Sequence, residues 1–129
     1  MEQIVLVEDD QDLRALFTLV LEQAGYTVLP VEEGQTALSV LQTCRCDLLV
    51  TDYHLPDIPG NLLISYARSV YPHLATLLMS GDPGAESLAA LCQADAWFFK
   101  SDGVAEFLQA VATACAHGAV TSERASCAG

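Results

Sequence analysis

The sequence predicts a doubly wound α/β domain, in which a five-stranded parallel sheet is covered by helices on both faces. Two observations lead to this prediction: five short apolar runs of strand length recur along the chain, and segments with helical periodicity separate them. The runs are apolar almost throughout, which is typical of strands that are buried on both faces. Right-handed crossovers between such strands place helices on either side of the sheet.

Five segments have the length and composition of short strands. Three of them are rich in Val or Thr and one is rich in aromatic residues, the types that favour extended structure. In chain order the predicted strands are IVLV (4–7), TVLP (27–30), DLLVTD (47–52), ATLLMS (75–80) and DAWFF (95–99).

The first and last helices have the clearest amphipathic pattern. Their apolar residues recur at spacings of three and four, which is the period of one face of a helix. The first set is Leu13, Leu16, Phe17, Val20, Leu21 and Ala24, and the last is Val104, Phe107, Leu108, Val111, Ala112 and Cys115. Weaker helical patterns run over about 35–44, 61–70 and 85–93, and the third of these is the least periodic.

The length and composition suit one domain that folds alone. The chain has 129 residues, of which 52% are hydrophobic and 17% are charged, so it is rich enough in apolar residues for a core and too short for two domains. We expect the folded domain to span residues 1–118. Residues 119–129 end in the small and polar TSERASCAG, which predicts a flexible tail or a truncated linker.

The charge balance argues against direct binding of nucleic acid. Seventeen acidic residues against five basic ones give a net charge of −12, which phosphates would repel. The chain has no apolar run of the roughly 20 residues that span a bilayer and no basic region at its start, so we expect a cytoplasmic protein without membrane insertion. The five cysteines lack paired CxxC spacing, which favours reduced packing thiols over a zinc site.

Polar residues follow several strands at the edge where doubly wound domains bind ligands. Glu8 and Asp9 follow the first strand, and Asp52 ends the third. The run EDDQD (8–12) alone is more often a solvated turn that caps a helix. A third carboxylate at the same edge changes this interpretation, because carboxylates in one place repel one another unless a cation such as Mg²⁺ neutralises them. The sequence therefore predicts an open magnesium site.

Two further residues belong to the same edge. Lys100 is the only lysine of the chain and follows the fifth strand, where it can act as a countercharge that holds an anion against Asp52. Its alternative role is an ordinary surface lysine. Ser80 ends the fourth strand beside Gly81, and its alternative role is a hydroxyl bonded to the backbone.

These residues together resemble the receiver domain of two-component response regulators, a CheY-like, flavodoxin-like fold. The resemblance covers residues 3 to about 117 and includes the pattern D-x-x-L-P-D-x-x-G at Asp52, Leu55, Pro56, Asp57 and Gly60. It implies that Asp52 accepts a phosphoryl group from a sensor histidine kinase or a histidine phosphotransfer protein. It also implies a switch with its own phosphotransfer and autodephosphorylation chemistry, rather than an enzyme, and it leaves the downstream effector open.

The resemblance assigns a role to each residue of the site. Glu8, Asp9 and Asp52 would bind Mg²⁺ together with the backbone carbonyl of His54. Ser80 would turn its hydroxyl toward the phosphoryl group, and Lys100 would contact that group. Trp97, three residues before the lysine, stands at the family's switch position, which is often Tyr or Phe, and it can equally be a half-buried packing residue.

A second departure from the family pattern, besides Trp97, follows the lysine. The family usually has a proline after the lysine, often in a cis peptide, whereas Ser101 follows Lys100 here. Because a cis bond before a residue other than proline costs about 3–4 kcal/mol, we expect this bond to be trans.

Two other functions are alternatives to a phosphorylated receiver. A haloacid-dehalogenase-type phosphohydrolase also uses an Asp nucleophile and Mg²⁺, but it needs a second Asp two residues later, where this chain has His54. A degenerate receiver that acts as an unphosphorylated binding module would lack one of the five key residues, and all five are present.

Overall fold

The computed structural model describes residues 2–128, except for the side chains of Ala85 and of residues 117–128. Five strands and five helices alternate along this part of the chain. The strands are β1 (Gln3–Val7), β2 (Thr27–Val31), β3 (Leu48–Asp52), β4 (Ala75–Ser80) and β5 (Ala96–Phe99). The helices are α1 (Gln11–Gln23), α2 (Gly34–Thr43), α3 (Gly60–Val70), α4 (Ala85–Cys92) and α5 (Val104–Ala128), and a 3-10 turn covers Lys100–Asp102.

All five strands pair in parallel, in the order β2-β1-β3-β4-β5. The predicted doubly wound α/β domain is confirmed, including the uncertain helix α4. That helix ends where Gln93 takes a left-handed backbone conformation with φ of 60°. The predicted tail, residues 119–129, has no described side chains, and the expectation of a flexible tail or linker for it stays a prediction.

Alternate residues of the strands pack into two separate hydrophobic cores, one on each face of the sheet. Ile4 and Leu6 point toward the side of α1 and α5, whereas Val5 and Val7 point toward the side of α2, α3 and α4. On the first side the rings of Phe17, Phe98 and Phe107 pack together, with centroids 4.6–6.3 Å apart. Because both faces of the sheet are covered, every residue of β3 and β4 is buried.

The described helices include none that is long and apolar enough to cross a membrane. The four cysteines with described side chains, Cys44, Cys46, Cys92 and Cys115, are free thiols. Cys46, Cys92 and Cys115 pack with the two cores as predicted, whereas Cys44 is exposed, so the prediction of a packing thiol is wrong for Cys44.

Candidate phosphorylation and metal site

Three carboxylates meet at the carboxyl ends of β1 and β3. The two strands are neighbours in register, with Val7 opposite Thr51, so the residues that follow Val7 lie beside Asp52. Carboxylate oxygens of Glu8, Asp9 and Asp52 lie within 4.8 Å of one another. Glu8 and Asp52 are buried, at 0% and 4% exposure, whereas Asp9 is exposed. The fold thus assembles the predicted acidic cluster.

The α1 helix holds the first part of this cluster in place. Asp10 is the N-cap of α1, and its carboxylate accepts a hydrogen bond from the backbone N–H of Leu13 at 3.0 Å. Arg14 donates to the carbonyl of Glu8 at 2.9 Å. Both interpretations of the acidic run, a helix cap and a metal site, therefore apply. Asp10 caps the helix, while Glu8 and Asp9 belong to the carboxylate cluster.

Lys100 directly follows β5 at the same carboxyl edge and completes the cluster. Its Nζ lies 2.6 Å from Oε1 of Glu8 and 3.0 Å from Oδ2 of Asp52, and its side chain is 17% exposed. Burial by itself would lower the pKa of Lys100, but hydrogen bonds and attraction from the two carboxylates outweigh it and raise the pKa above its usual value. The ammonium is therefore a firm countercharge, as predicted.

The buried position of Glu8 changes the pKa of its carboxyl group. Burial raises the pKa of Glu8 from its usual 4.5 to about 6; repulsion from Asp52 adds to this effect, and the ion pair with Lys100 opposes it. A single ammonium thus compensates two buried carboxylates only in part. A second cation at this point would be favourable.

One oxygen of Asp52 is left for another ligand. Oδ2 faces Lys100, whereas Oδ1 is buried and accepts no hydrogen bond from any described residue. A buried carboxylate oxygen without a donor is costly unless something binds to it. Three close carboxylates with one such oxygen form a hard oxygen donor set of the kind that Mg²⁺ takes up together with water, so the residues present fit this ion.

Ser80 lies at the same edge, but in the described part of the chain its hydroxyl bonds to the backbone rather than to the carboxylates. Its Oγ accepts from the backbone N–H of Asp82 at 3.0 Å and donates to the carbonyl of Asp82 at 3.4 Å. This bond to the backbone is the alternative role of Ser80 named above. Its role toward a phosphoryl group stays a prediction.

Trp97 is 42% exposed and does not belong to the buried core. It lies on β5, opposite Leu78, three residues before Lys100. The switch role of Trp97 stays a prediction. Nothing in the described contacts joins its ring to Ser80.

One side-chain contact beside the site, between His54 and Asp82, was not predicted from the sequence. Nε2 of His54 and Oδ2 of Asp82 are 2.5 Å apart, and both side chains are well exposed. His54 stands two residues after Asp52 and Asp82 two after Ser80, so their equal offsets at the ends of neighbouring strands were the available signal. The contact joins the loops that follow β3 and β4.

The backbone around the site differs from the usual family pattern after Lys100 and makes a close approach at Gly60. No cis peptide bond occurs among the described residues, which confirms the trans bond expected after Lys100, and the chain continues into a 3-10 turn there. Gly60 is required by a close approach, because a Cβ at this position would lie 2.0 Å from the carbonyl oxygen of Asp52. The turn after Asp52 can therefore fold back onto β3 only with glycine.

A parallel sheet that gathers carboxylates and one lysine at its carboxyl edge defines an α/β domain with a built site for a cation and an anion. Residues 4–112 match the family model of the response regulator receiver domain. The chain belongs to the response regulator receiver domain family, as the sequence predicted.

Individual relatives agree with this assignment. The receiver protein CpdR of Brucella abortus is 36% identical over 81 residues, which cover 63% of this chain and 68% of CpdR. The response regulator FleR of Pseudomonas aeruginosa is 35% identical over 78 residues, 60% of this chain but only 16% of FleR. The solved signal receiver domain of an HD domain-containing protein from Pseudomonas fluorescens Pf-5 has a TM-score of 0.87 at 25% identity, over 95% of this chain and 93% of that one.

These comparisons decide between two of the functions weighed above. The structural neighbours are receiver domains rather than haloacid-dehalogenase-type hydrolases, so the hydrolase alternative is set aside. Receiver domains are phosphorylated by histidine kinases or phosphotransfer proteins, and they typically bind Mg²⁺ at an acidic pocket.

Proposed function

We propose that this domain is a phosphorylation-controlled switch in which Asp52 accepts a phosphoryl group from a histidine kinase or a histidine phosphotransfer protein. The observation that supports this most strongly is the state of the Asp52 carboxylate. One oxygen is held by Lys100 at 3.0 Å, and the other is buried at the strand end without a hydrogen-bond donor. A rigid strand thus presents a single nucleophilic oxygen at a fixed place.

The transfer requires little of the protein beyond alignment and charge. Oδ1 of Asp52 forms the new O–P bond while the P–N bond of the donor phosphohistidine breaks, and the electron pair of that bond returns to the imidazole. The ammonium of Lys100 lies against both buried carboxylates. From there it can also contact an oxygen of the incoming phosphoryl group and stabilise its charge. The phosphoryl group ends on Asp52, and the domain is accordingly proposed as a phosphoryl acceptor rather than a turnover enzyme.

The metal site proposed for this chain uses the same edge. Glu8, Asp9 and Asp52 would hold Mg²⁺ through their carboxylates, and His54 through its backbone carbonyl. The ion would neutralise charge on the phosphoryl oxygens. Glu8 also holds the ammonium of Lys100, so it links the cation site to the anion site.

The switch is proposed to begin at Ser80. Its hydroxyl would exchange the bonds to the backbone of Asp82 for a bond to the phosphoryl group, which would draw the loop between β4 and α4 toward Asp52. The aromatic side chain of Trp97, on the neighbouring strand, is proposed as a second switch element. Both assignments rest on the family pattern and on the position of the two residues at one edge.

The phosphoryl donor and the cellular compartment are also part of this proposal. We assign a sensor histidine kinase or phosphotransfer protein as donor, no direct nucleic acid contact in view of the net charge of −12, and a cytoplasmic location in view of the free thiols. The chain spans 16% of the length of FleR.

Phosphorylation with a small phosphodonor and Mg²⁺ tests the assignment. The wild type should take up one phosphoryl group that hydroxylamine releases, as expected of an acyl phosphate, and Asp52→Asn should take up none. Asp47→Asn, which changes an Asp at the amino-terminal end of β3, is the matched control and should be labelled normally. Label that persists in Asp52→Asn would refute the acceptor, and an unlabelled wild type would favour the unphosphorylated binding module.

Titration calorimetry tests the metal site independently. Asp9→Asn should weaken Mg²⁺ binding strongly, because it removes one of three carboxylates whose mutual repulsion the ion relieves. An unchanged affinity would refute this ligand set.

A further inference from the structure

Asp57 holds two parts of the chain together although it lies in the loop that follows Asp52. Its Oδ1 accepts hydrogen bonds from the backbone N–H groups of Gly34 at 3.0 Å and of Ile58 at 2.9 Å. Its Oδ2 accepts from the N–H of Gln35 at 2.8 Å. Gly34 and Gln35 are the first two residues of α2. The loop after β3 is therefore tied to the start of another helix.

This tie replaces a local helix cap. Glu33 is the N-cap residue of α2, and its side chain makes no capping hydrogen bond. A carboxylate at a helix N-terminus satisfies free N–H groups and is favoured by the helix dipole. The slight burial of Asp57 would raise its pKa, but the backbone N–H groups outweigh this effect and lower it, so the carboxylate is ionised and available as the cap.

Shape reinforces the hydrogen bonds. A Cβ at Gly34 would lie 2.3 Å from Cγ1 of Ile58, so the first turn of α2 rests directly on the loop. At its other end the loop closes beside β3, where the N–H of Gly60 donates to the carbonyl of Tyr53, the residue after Asp52, at 2.8 Å. The loop is thereby fixed against α2 on one side and against the acceptor strand on the other.

We propose that Asp57 is a positioning residue for the phosphorylation site, because it fixes the loop that carries His54 beside the carboxylates. This inference rests on the proposed function, in which the backbone carbonyl of His54 is a ligand of Mg²⁺. The carboxylate ligands Glu8, Asp9 and Asp52 lie at or directly after strand ends and do not depend on the tie. The backbone carbonyl of His54 lies on the loop, so its position depends on the hydrogen bonds of Asp57.

The two classes of ligand should therefore respond differently when the tie is broken. Asp57→Ala leaves all three carboxylates in place but releases the loop, so Mg²⁺ binding should weaken rather than disappear. Removal of a residue that orients a metal ligand typically costs about 10-fold to 100-fold in affinity, and we expect about tenfold here because a single carbonyl is affected. Saturating Mg²⁺ should restore the rate of phosphorylation by a small phosphodonor.

Calorimetric Mg²⁺ titration of Asp57→Ala, Asp57→Asn and Asp47→Ala tests this role. Asn keeps one acceptor oxygen for Gly34 and Ile58, so Asp57→Asn should have an intermediate affinity. Asp47 is the matched control, because its carboxylate also accepts a backbone N–H, that of Gln3 at 2.8 Å, but at the opposite edge of the sheet. Asp47→Ala should bind Mg²⁺ like the wild type even where it is less stable.

The outcomes separate this inference from the proposed function. Wild-type affinity in Asp57→Ala, alongside weakened binding in Asp9→Asn, overturns the positioning role alone. Equal weakening in Asp57→Ala and Asp47→Ala also overturns it, because the effect would then follow general stability. A wild type that neither binds Mg²⁺ nor takes up a phosphoryl group overturns both.

Discussion

Replacing Lys100 by Met removes the charge at the centre of the site while it keeps most of the aliphatic side chain. The change leaves the carboxylates of Glu8 and Asp52 buried and facing each other without the ammonium that lies 2.6 Å and 3.0 Å from them. Two such carboxylates repel each other, and neither can recover contact with water without a rearrangement of the strand ends. We expect the metal-free protein to lose stability as a result.

The expected loss is about 3 kcal/mol at pH 7. Removal of one partner from a buried ion pair typically costs about 3–5 kcal/mol, and the low end applies because the Lys100 side chain is 17% exposed and therefore partly solvated. A domain of this size has roughly 5–15 kcal/mol of total stability, so the loss is readily measured. In a thermal scan it corresponds to about 10 °C in Tm.

The assay is urea unfolding followed by circular dichroism, with and without Mg²⁺. The ion should stabilise the variant more than the wild type, because it becomes the sole countercharge and should bind more tightly. At a concentration ten times the dissociation constant, binding adds about 1.4 kcal/mol. A Lys100→Met protein as stable as the wild type without metal would refute the reasoning, and so would weaker Mg²⁺ binding in the variant.

Three further predictions follow from the geometry. The pKa of Glu8, raised from 4.5 to about 6, means that the metal-free wild type should lose about 2 kcal/mol as pH rises through that range. The loss should be absent in Glu8→Gln, and parallel pH profiles in urea unfolding would contradict the assigned pKa. Gly60→Ala should destabilise by about 1–3 kcal/mol and slow phosphorylation, because the new methyl group would meet the Asp52 carbonyl oxygen; wild-type melting would show that the turn can relax. Beryllofluoride with Mg²⁺ should change the fluorescence of Trp97, the only tryptophan, in the wild type but not in Asp52→Asn. Flat emission despite demonstrated binding would leave Trp97 without a switch role.

Most of the fold could be predicted because strand and helix periods are local properties of the sequence. β4 was predicted at its observed bounds, and the other strand bounds differ by one residue at an end, since apolar runs stop where the sheet stops. The 3-10 turn at Lys100–Asp102 was not predicted, because a single turn of three residues has no period to detect.

The members of the site could be predicted from topology alone, but their contacts could not. Parallel strands bring Glu8, Asp52 and Lys100 to one edge, and the structure places them in direct contact. Whether the hydroxyl of Ser80 faces the carboxylates or its own loop depends on one side-chain rotamer, which no sequence pattern specifies.

The role of Asp57 could not be predicted, because its partners are distant in the sequence. It stands 23 residues from Gly34 and 22 from Gln35, and a helix cap is normally sought just before the helix. The only local sign was negative: α2 follows two glutamates, and neither is among the strongest capping residues.

Lys100 is the only lysine among 129 residues, so reagents selective for lysine side chains have one target in this sequence, and it lies inside the site. Its ion pairs raise its pKa, which keeps the reactive neutral amine scarce, and its low exposure slows attack further. The rate at which an activated ester acylates this amine is therefore set by the contacts of Lys100 with Glu8 and Asp52. Anything that binds there changes that rate, so amine labelling that is read at Lys100, separately from the α-amino group, can measure occupancy of the site in the unmodified protein.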